Sequence, residues 1–276
     1  MNAVTVDKIK SFKKSKKSFT AITAYDYTSA KIIDSINIPL ILVGDSASMV
    51  SYGYTTTVPV SMDEILLVSR AVSRGTQKAL VVGDMPFLSY QSSVATAIKN
   101  AGLLLKNARV GAVKLEGGLE IIPQIKKIIS SGIPVMGHVG LTPQSVNMFS
   151  GYKVQGKNLS SAQKILDEAR AIEDAGAFSV VLECIPTQLA EHITKSLSIP
   201  TIGIGSGPSC DGQIQVYHDV LGLMKNFSPK HTRKYSNLYQ DIKKSLKKYS
   251  DDVMNKKFPT SKHSFSYQTN IIDKLK

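Results

Sequence analysis

The fold is decided by two short stretches, Ile41-Leu42-Val43-Gly44-Asp45 and Leu80-Val81-Val82-Gly83-Asp84. Each is an apolar run that ends in glycine and an acidic residue. Similar runs that end in glycine or a polar residue recur along the chain, and each is followed by a longer segment with helical periodicity. Apolar runs alternating with helical segments are typical of a parallel sheet with crossover helices.

We predict seven clear strands and one weaker strand. The clear strands lie near Phe19–Ala24, Pro39–Gly44, Ala79–Gly83, Ala112–Glu116, Pro134–His138, Ser179–Glu183 and Thr201–Gly205, and the weaker one near Ile214–His218. This number favours an α/β fold of the (β/α)₈ TIM-barrel type, which commonly takes about 250 residues. An open doubly wound sheet would give the same local signals.

The rest of the chain is organised around this predicted barrel. We expect one domain over residues 1–276, with a basic N-terminal helix at 1–17 and a C-terminal helical extension at 227–276. Ser61-Met62-Asp63-Glu64 has the pattern of a capping box at a helix start.

One helix of the extension should be amphipathic. Its apolar stripe comprises Leu238, Ile242, Leu246, Tyr249 and Val253. Helical spacing places these residues on one face, so we expect a surface helix docked on the barrel. A basic helix that binds a membrane surface is the alternative.

Composition and charge limit the classes of function. The sequence lacks a secretion signal and an apolar run of the ~18 residues that span a bilayer. It has only two cysteines, Cys184 and Cys210, so we expect a cytoplasmic protein with reduced thiols. The formal charge of +13 is concentrated in Lys8–Lys17 and Lys225–Lys257. RNA binding would be helped by aromatic residues interleaved with basic ones on a sheet, and no such pattern appears. We therefore expect solvated faces and neither a nucleic-acid nor a membrane partner.

Four acidic residues at strand ends indicate the chemistry. Asp45 and Asp84 follow their strands directly, and Glu116 and Glu183 close theirs. Because the carboxyl ends of barrel strands open onto one face, these side chains should meet there. Crowded carboxylates repel one another unless they share protons or a cation, and a hard ion such as Mg²⁺ takes oxygen ligands. Each acid could instead cap the helix after its strand or be solvated.

Other residues at the same end of the barrel suggest anion binding. Lys114 lies two positions before Glu116, so strand alternation places both side chains on one side. Lys114 could bind a substrate carboxylate, pair with a neighbouring acid, or do both. His138 could contact substrate or have a structural role. The run Gly203–Gly207 could offer backbone N–H groups to an anion, or serve a tight turn.

A series of motifs along the chain resembles one enzyme family. The motifs are Thr23-Ala24-Tyr25-Asp26, Val43-Gly44-Asp45-Ser46, Asp84-Met85-Pro86-Phe87, Lys114-Leu115-Glu116-Gly117-Gly118, Gly137-His138-Val139-Gly140-Leu141-Thr142-Pro143-Gln144-Ser145, Gly151-Tyr152-Lys153-Val154-Gln155-Gly156, Leu182-Glu183-Cys184, Ile202-Gly203-Ile204-Gly205 and Asp211-Gly212-Gln213. This set resembles the 3-methyl-2-oxobutanoate hydroxymethyltransferase family, also called ketopantoate hydroxymethyltransferases, over nearly the whole chain. Gly205-Ser206-Gly207 departs from the usual Gly-Ala-Gly of that family.

The resemblance implies a (β/α)₈-barrel enzyme of pantothenate and coenzyme A biosynthesis. Such an enzyme transfers a hydroxymethyl group from 5,10-methylenetetrahydrofolate to 3-methyl-2-oxobutanoate, giving 2-dehydropantoate and tetrahydrofolate through a Mg²⁺-stabilised enolate. The family commonly assembles as a homodecamer. One Mg²⁺ per subunit is the implied cofactor, and no residue is assigned to the folate.

The resemblance also implies roles for individual residues. By position, the metal ligands are Asp45, Asp84 and Glu116, the last directly or through water. The expected substrate contacts are Asp45, Ser46, Asp84, Lys114 and, from the argument above, His138. Glu183 is the expected catalytic base. We also hypothesise that Asn147–Lys157 forms a lid, since water must be excluded from the one-carbon donor.

Two rival functions remain open at the level of sequence. A metal-dependent oxo-acid enzyme of the phosphoenolpyruvate mutase and isocitrate lyase type would share the barrel and the metal. Those enzymes typically carry a Lys-Lys-Cys-Gly-His loop, which this sequence lacks. A non-catalytic binding protein would explain the basic surface but leaves the ordered acids unexplained.

Overall fold

A computed structural model describes residues 3–225, 229–267 and 272 of the chain. The strands are β1 (Phe19–Thr23), β2 (Leu40–Val43), β3 (Leu80–Asp84), β4 (Ala112–Glu116), β5 (Val135–Gly140), β6 (Ser179–Glu183), β7 (Thr201–Ile204) and β8 (Gly212–Gln215). All pair in parallel in sequence order, and β8 pairs with β1, which closes the barrel. The predicted (β/α)₈ barrel is therefore confirmed, and the open sheet is excluded.

Helices surround this barrel and extend it at both ends of the sequence. They are α1 (Val6–Lys14), α2 (Tyr27–Ser35), α3 (Ala47–Val50), α4 (Met62–Gly75), α5 (Val94–Leu103), α6 (Ile122–Ser130), α7 (Leu159–Asp174), α8 (Thr187–Ser196), α9 (Tyr217–Leu221) and α10 (Leu238–Met254). A π-helical turn, Leu104–Ala108, follows α5, and short 3-10 turns lie at Leu119–Ile121, Pro143–Ser145 and Ser261–His263. None of the helices in the described part of the chain has the length and apolarity needed to cross a bilayer.

Alternation along the strands divides the core into two layers. Outward-facing residues such as Ile41, Val81 and Val113 pack against the surrounding helices. Inward-facing residues such as Leu40, Leu80 and further members from the other strands fill the barrel. This arrangement explains the continuous apolar runs of the sequence, because strands buried on both faces cannot alternate with polar residues.

Helix α1 closes the amino-terminal end of the barrel. Ile9 is fully buried among the inward-facing residues, and Val4 and Phe12 pack beside it. The Lys13 ammonium pairs with the Asp211 carboxylate at 2.9 Å. The predicted N-terminal helix is thus present within 3–17, and positions 1 and 2 lie outside the described residues. The opposite, carboxyl-terminal end is the mouth of the barrel.

The predicted capping box begins α4. The Glu64 backbone N–H donates to the Ser61 hydroxyl at 3.3 Å, and the Ser61 N–H donates to the Glu64 carboxylate at 2.7 Å. Two backbone donors that have no partner within the helix are satisfied in this way.

Two expectations were wrong. The eighth strand spans Gly212–Gln215 rather than Ile214–His218, because pairing with β1 sets its register and Tyr217 already begins α9.

The predicted stripe of α10 does not dock on the barrel of the same chain. No residue of this helix is buried, and Leu246 is 63% exposed. Of the predicted extension at 227–276, positions 227, 228, 268–271 and 273–276 lie outside the described residues.

Candidate metal centre and active site

Side chains alternate between the two faces of each strand, and this alternation points the predicted site residues into the barrel. Asp84 lies two residues after the inward-facing Val82, and Lys114 and Glu116 follow the inward-facing Ala112 at the same spacing. His138 and Glu183 bear the same relation to Met136 and Val181. Because they occupy the carboxyl-terminal ends of their strands, all five side chains form the last inward-facing layers below the mouth.

Three acids from separate strand ends converge there. Asp45, Asp84 and Glu116 are each at most 5% exposed. One carboxylate oxygen from each lies within 4.8 Å of the others. The Asp45 backbone N–H donates to Asp84 at 3.1 Å, which ties the loop after β2 to the end of β3. The structure therefore brings together the three residues that the sequence singled out as metal ligands.

Lys114 provides positive charge inside this cluster. Its ammonium lies 2.9 Å from Asp84 Oδ1 and 3.1 Å from Glu116 Oε1. Burial alone would lower the pKa of Lys114, but the carboxylates of Asp84 and Glu116 outweigh burial and raise it. The ion pair considered from the sequence is therefore present.

His138 links the acid cluster to Glu183. Its Nδ1 lies 3.2 Å from Glu116 Oε1, and its Nε2 lies 3.2 Å from Glu183 Oε2. Burial and the nearby Lys114 lower the pKa of His138, but Glu116 and Glu183 prevail and raise it to about 9. The ring therefore lies between the two carboxylates, with the Lys114 ammonium 3.3 Å from its Nδ1.

Glu183 occupies a more open position than the other acids. Its side chain is 15% exposed, whereas those of Asp84 and Glu116 are at most 2% exposed. Partial exposure toward the mouth leaves this carboxylate accessible to a small molecule bound above the acid cluster.

The charge of the cluster fits a hard divalent cation. Burial and, to a lesser extent, the neighbouring carboxylates raise the pKa values of Asp45 and Asp84. Burial would also raise the pKa of Glu116, but Lys114 and His138 hold it at about 2. With Glu183, four carboxylates face only two basic side chains. One oxygen atom from each acid lies within 4.8 Å of the others, so the three carboxylates could share one hard cation that takes oxygen ligands.

Ser46 lies beside this cluster but does not touch its acids through the hydroxyl. It is half-buried at the start of α3, directly after Asp45. Its hydroxyl shares a 2.7 Å hydrogen bond with the phenol of Tyr25. Burial raises the pKa of Tyr25, so the phenol keeps its proton. Tyr25 thus orients Ser46, although the sequence marked it only as part of a motif.

Gln144 and Tyr90 also belong to the site, although neither was among the site residues predicted from the sequence. The Gln144 amide donates to Asp45 Oδ2 at 3.0 Å, and its backbone N–H donates to Glu116 Oε2 at 3.1 Å. The Tyr90 hydroxyl donates to the Glu116 carbonyl at 2.7 Å. Gln144 falls in the motif Gly137–Ser145, which was the available signal, but one sequence does not reveal that its amide is buried.

The proposed lid lies at the mouth of the barrel. Near its end, the Gln155 N–H donates to the Cys184 carbonyl at 2.9 Å, next to Glu183. The Tyr152 hydroxyl lies 3.7 Å from the sulfur of Met49, one turn after Asp45. Burial and the negative charge of Asp45 raise the pKa of Tyr152, as its position near the acids requires.

The glycine-rich run after β7 serves packing. The Ser206 hydroxyl within it donates to the Leu182 carbonyl at 2.7 Å, which joins this turn to the end of β6. A side chain at Gly205 would approach the Cys184 sulfur and His231. The turn therefore supports the strand end that carries Glu183.

Comparison of the sequence with known proteins gives a full-length match. A family model described as ketopantoate hydroxymethyltransferase matches residues 3–261. The 3-methyl-2-oxobutanoate hydroxymethyltransferase of Carboxydothermus hydrogenoformans is 51% identical over 275 residues, covering 100% of each chain. The enzyme of the same name from Syntrophus aciditrophicus is 52% identical over 262 residues, covering 95% of this chain and 96% of that one.

Solved structures share the fold at much lower identity. A phosphonopyruvate hydrolase covers 99% of this chain and 94% of its own, with a TM-score of 0.63 and 12% identity. 2,3-Dimethylmalate lyase, a member of the phosphoenolpyruvate mutase and isocitrate lyase superfamily, covers 78% of each chain with a TM-score of 0.58 and 14% identity. Identities this low show a common fold alone.

Proposed function

Because the chain belongs to the ketopantoate hydroxymethyltransferase family, we propose that it transfers a hydroxymethyl group from 5,10-methylenetetrahydrofolate to 3-methyl-2-oxobutanoate. The products are 2-dehydropantoate and tetrahydrofolate, on the route to pantothenate and coenzyme A. One observation carries the proposal: a buried triad of carboxylates is joined through His138 to a partly open Glu183. The superfamily of the fold neighbours is the weaker alternative, since its members share only 11–14% identity with this chain.

The first proposed step is binding of the substrate above the triad. Asp45, Asp84 and Glu116 hold a divalent metal ion, with Glu116 acting directly or through water. Such an ion supplies positive charge that stabilises the negative charge developing on the ketone oxygen. Lys114 and Ser46 bind the substrate carboxylate and orient C3. Both side chains border the acid cluster, which supports these roles.

The second proposed step is proton removal. The Glu183 carboxylate takes the proton from C3, and the electron pair of the C–H bond then forms a bond to the one-carbon unit of the folate. The two C–N bonds that join this carbon to the folate break, and the proton from C3 and one proton of a water molecule go to the two folate nitrogens. Overall stoichiometry consumes one water, which supplies the hydroxyl oxygen of the product. His138 Nε2 lies 3.2 Å from Glu183 Oε2 and so borders the base on its inner side. This position favours an orienting role for His138 beside its expected contact with substrate.

Residues 147–157 are proposed to close over the bound reactants. Closure would keep bulk water from the one-carbon unit until the carbon–carbon bond has formed. The contact of Tyr152 with Met49 supports this role, because Met49 lies in α3, four residues after Asp45.

We also propose a homodecamer in the cytoplasm, as the family resemblance implies. The apolar stripe on α10 supports an oligomer, since Leu246 and Tyr249 are 63% and 58% exposed in the single chain. Light scattering should give a mass of several subunits. A monomer at micromolar concentration would refute the assembly and leave the proposed reaction untouched.

Proton exchange tests the proposed reaction. The protein is incubated with 3-methyl-2-oxobutanoate and Mg²⁺ in D₂O, without folate, while NMR follows the C3 proton. We expect exchange that stops on chelation and in Glu183→Gln. Glu191→Gln, which alters an exposed acid on α8, is the matched control and should exchange normally. Exchange at the full rate in Glu183→Gln would refute the assignment of the base, and no exchange in the wild-type protein would refute the proposed reaction.

A further inference from the structure

Gln144 is buried between two of the proposed metal ligands. It is 4% exposed and lies in residues 141–157, which we call the mouth segment. Its backbone N–H donates to Glu116 Oε2 at 3.1 Å, and its side-chain amide donates to Asp45 Oδ2 at 3.0 Å. One residue of the mouth segment therefore holds acids from the ends of β2 and β4.

The remaining polar atoms of Gln144 are also engaged. The amide N–H₂ donates to the Met85 carbonyl at 2.9 Å, after β3. The amide oxygen lies 2.8 Å from the Tyr90 hydroxyl and accepts a 3.3 Å hydrogen bond from the side-chain amide of Gln91. A buried amide whose donors and acceptor all have partners is held in a single orientation, because rotation would break several hydrogen bonds at once.

The mouth segment is fastened to the barrel at both ends. At Gly140 the backbone adopts φ +95°, and a Cβ there would lie 2.4 Å from the Glu183 carbonyl. The Leu141 N–H donates to that same carbonyl at 2.9 Å. Near the far end, the Gln155 N–H donates to the Cys184 carbonyl. Between these points, Gln144 connects the segment to the acids.

We propose that Gln144 is a positioning residue that couples the mouth segment to the metal centre. The inference deepens the proposed function and rests on the metal site that it includes. Gln144 fixes one oxygen of Asp45 and one of Glu116, so the acids are held ready for the ion. By reciprocity, an ion that fixes the acids also fixes Gln144 and the segment that carries it. Metal binding thereby favours the closed mouth.

Metal affinity is the first test. Mn²⁺ is titrated into the metal-free, full-length protein and into Gln144→Leu, with free Mn²⁺ measured by electron paramagnetic resonance. Leucine keeps most of the volume and removes the amide. Loss of a group that orients a metal ligand typically weakens binding about 10- to 100-fold, and we expect a loss in this range. Gln124→Leu, at a buried glutamine of α6, is the matched control and should bind Mn²⁺ normally.

Proteolysis tests the coupling. Lys153 is an exposed trypsin site inside the mouth segment. Mass spectrometry follows cleavage after Lys153 with and without Mg²⁺. We expect Mg²⁺ to slow this cleavage in the wild-type protein and in Gln124→Leu, and to have little effect in Gln144→Leu at a Mg²⁺ concentration that still saturates it.

The possible outcomes separate the two proposals. A wild-type protein that binds no Mn²⁺ would refute the metal site of the proposed function. Wild-type binding with unchanged affinity in Gln144→Leu would overturn the positioning role alone. Weaker binding with undiminished protection of Lys153 would overturn the coupling. If Gln144→Leu does not fold, Gln91→Leu decides, because it removes the 3.3 Å hydrogen bond to the Gln144 oxygen, leaves the hydrogen bonds of the acids in place and should also weaken Mn²⁺ binding.

Discussion

Replacing Lys114 by methionine should destabilise the protein, because the carboxylates inside the barrel then repel one another. The Lys114 ammonium lies within 3.1 Å of both Asp84 and Glu116 and is 3% exposed. Methionine fills a similar space but leaves the surrounding carboxylates with His138 as their basic neighbour. The metal-free variant must therefore either bury uncompensated charge or take up a proton.

The size of the loss in stability follows from the burial of the ion pair. Removing one partner of a buried ion pair costs about 3–5 kcal/mol, because the other charge is left without compensation. At roughly 2–4 °C per kcal/mol for a chain of this size, the melting temperature should fall on the order of 10 °C at pH 8. The loss should shrink in acid, where the raised pKa of Asp84 allows this carboxyl to become neutral. Mg²⁺ should stabilise the variant more than the wild type, since it replaces the missing positive charge.

Thermal unfolding at several pH values, with and without Mg²⁺, measures these effects. The matched control is Lys195→Met, which breaks a 2.6 Å pair with Glu191 on the exposed face of α8. Exposed pairs contribute at most about 1 kcal/mol, so the control should stay near the wild type. A metal-free Lys114→Met protein as stable as Lys195→Met at pH 8 would refute the reasoning, because no uncompensated charge could then be present.

Two further predictions concern the ends of the barrel. Ile9→Ala should lower the free energy of unfolding by about 2–5 kcal/mol, because it opens a cavity beneath the barrel. Urea titration measures this loss, and an effect no larger than that of Leu67→Ala at an exposed site would contradict it. Burial raises the pKa of Asp219 from 3.8 to about 6, so the native state binds this proton more tightly. The stabilisation is present below pH 3.8 and is lost as the pH rises through 6, whereas Asp219→Asn should lack this fall. Urea titrations that give the same dependence of stability on pH for the wild type and Asp219→Asn would contradict this prediction.

Much of the barrel could be read from the sequence because strand signals are local. Seven strands were placed within one or two residues, and the inward side shared by Lys114 and Glu116 followed from a period of two. The convergence of Asp45, Asp84 and Glu116 also followed, since parallel strands of a barrel end on one face. The family was recognisable from motifs that extend over nearly the whole chain.

The eighth strand and the last helix show where local signals fail. The strand Gly212–Gln215 alternates glycine and isoleucine with glutamine and lacks a continuous apolar run. Its limits are set by hydrogen bonds to β1, which lies far away in the sequence, with Gln213 paired to Thr20. The stripe of α10 predicted a helix correctly, but an amphipathic pattern does not identify the surface that covers it.

The sequence by itself determined which residues end the strands and therefore which charges meet in the barrel mouth. Only the tertiary structure decided how those charges are held: Gln144 between Asp45 and Glu116, and His138 between Glu116 and Glu183. The physical reason is that strand alternation acts over two residues, whereas these contacts join positions tens of residues apart. Their distances depend on barrel closure and side-chain packing, which no local pattern encodes.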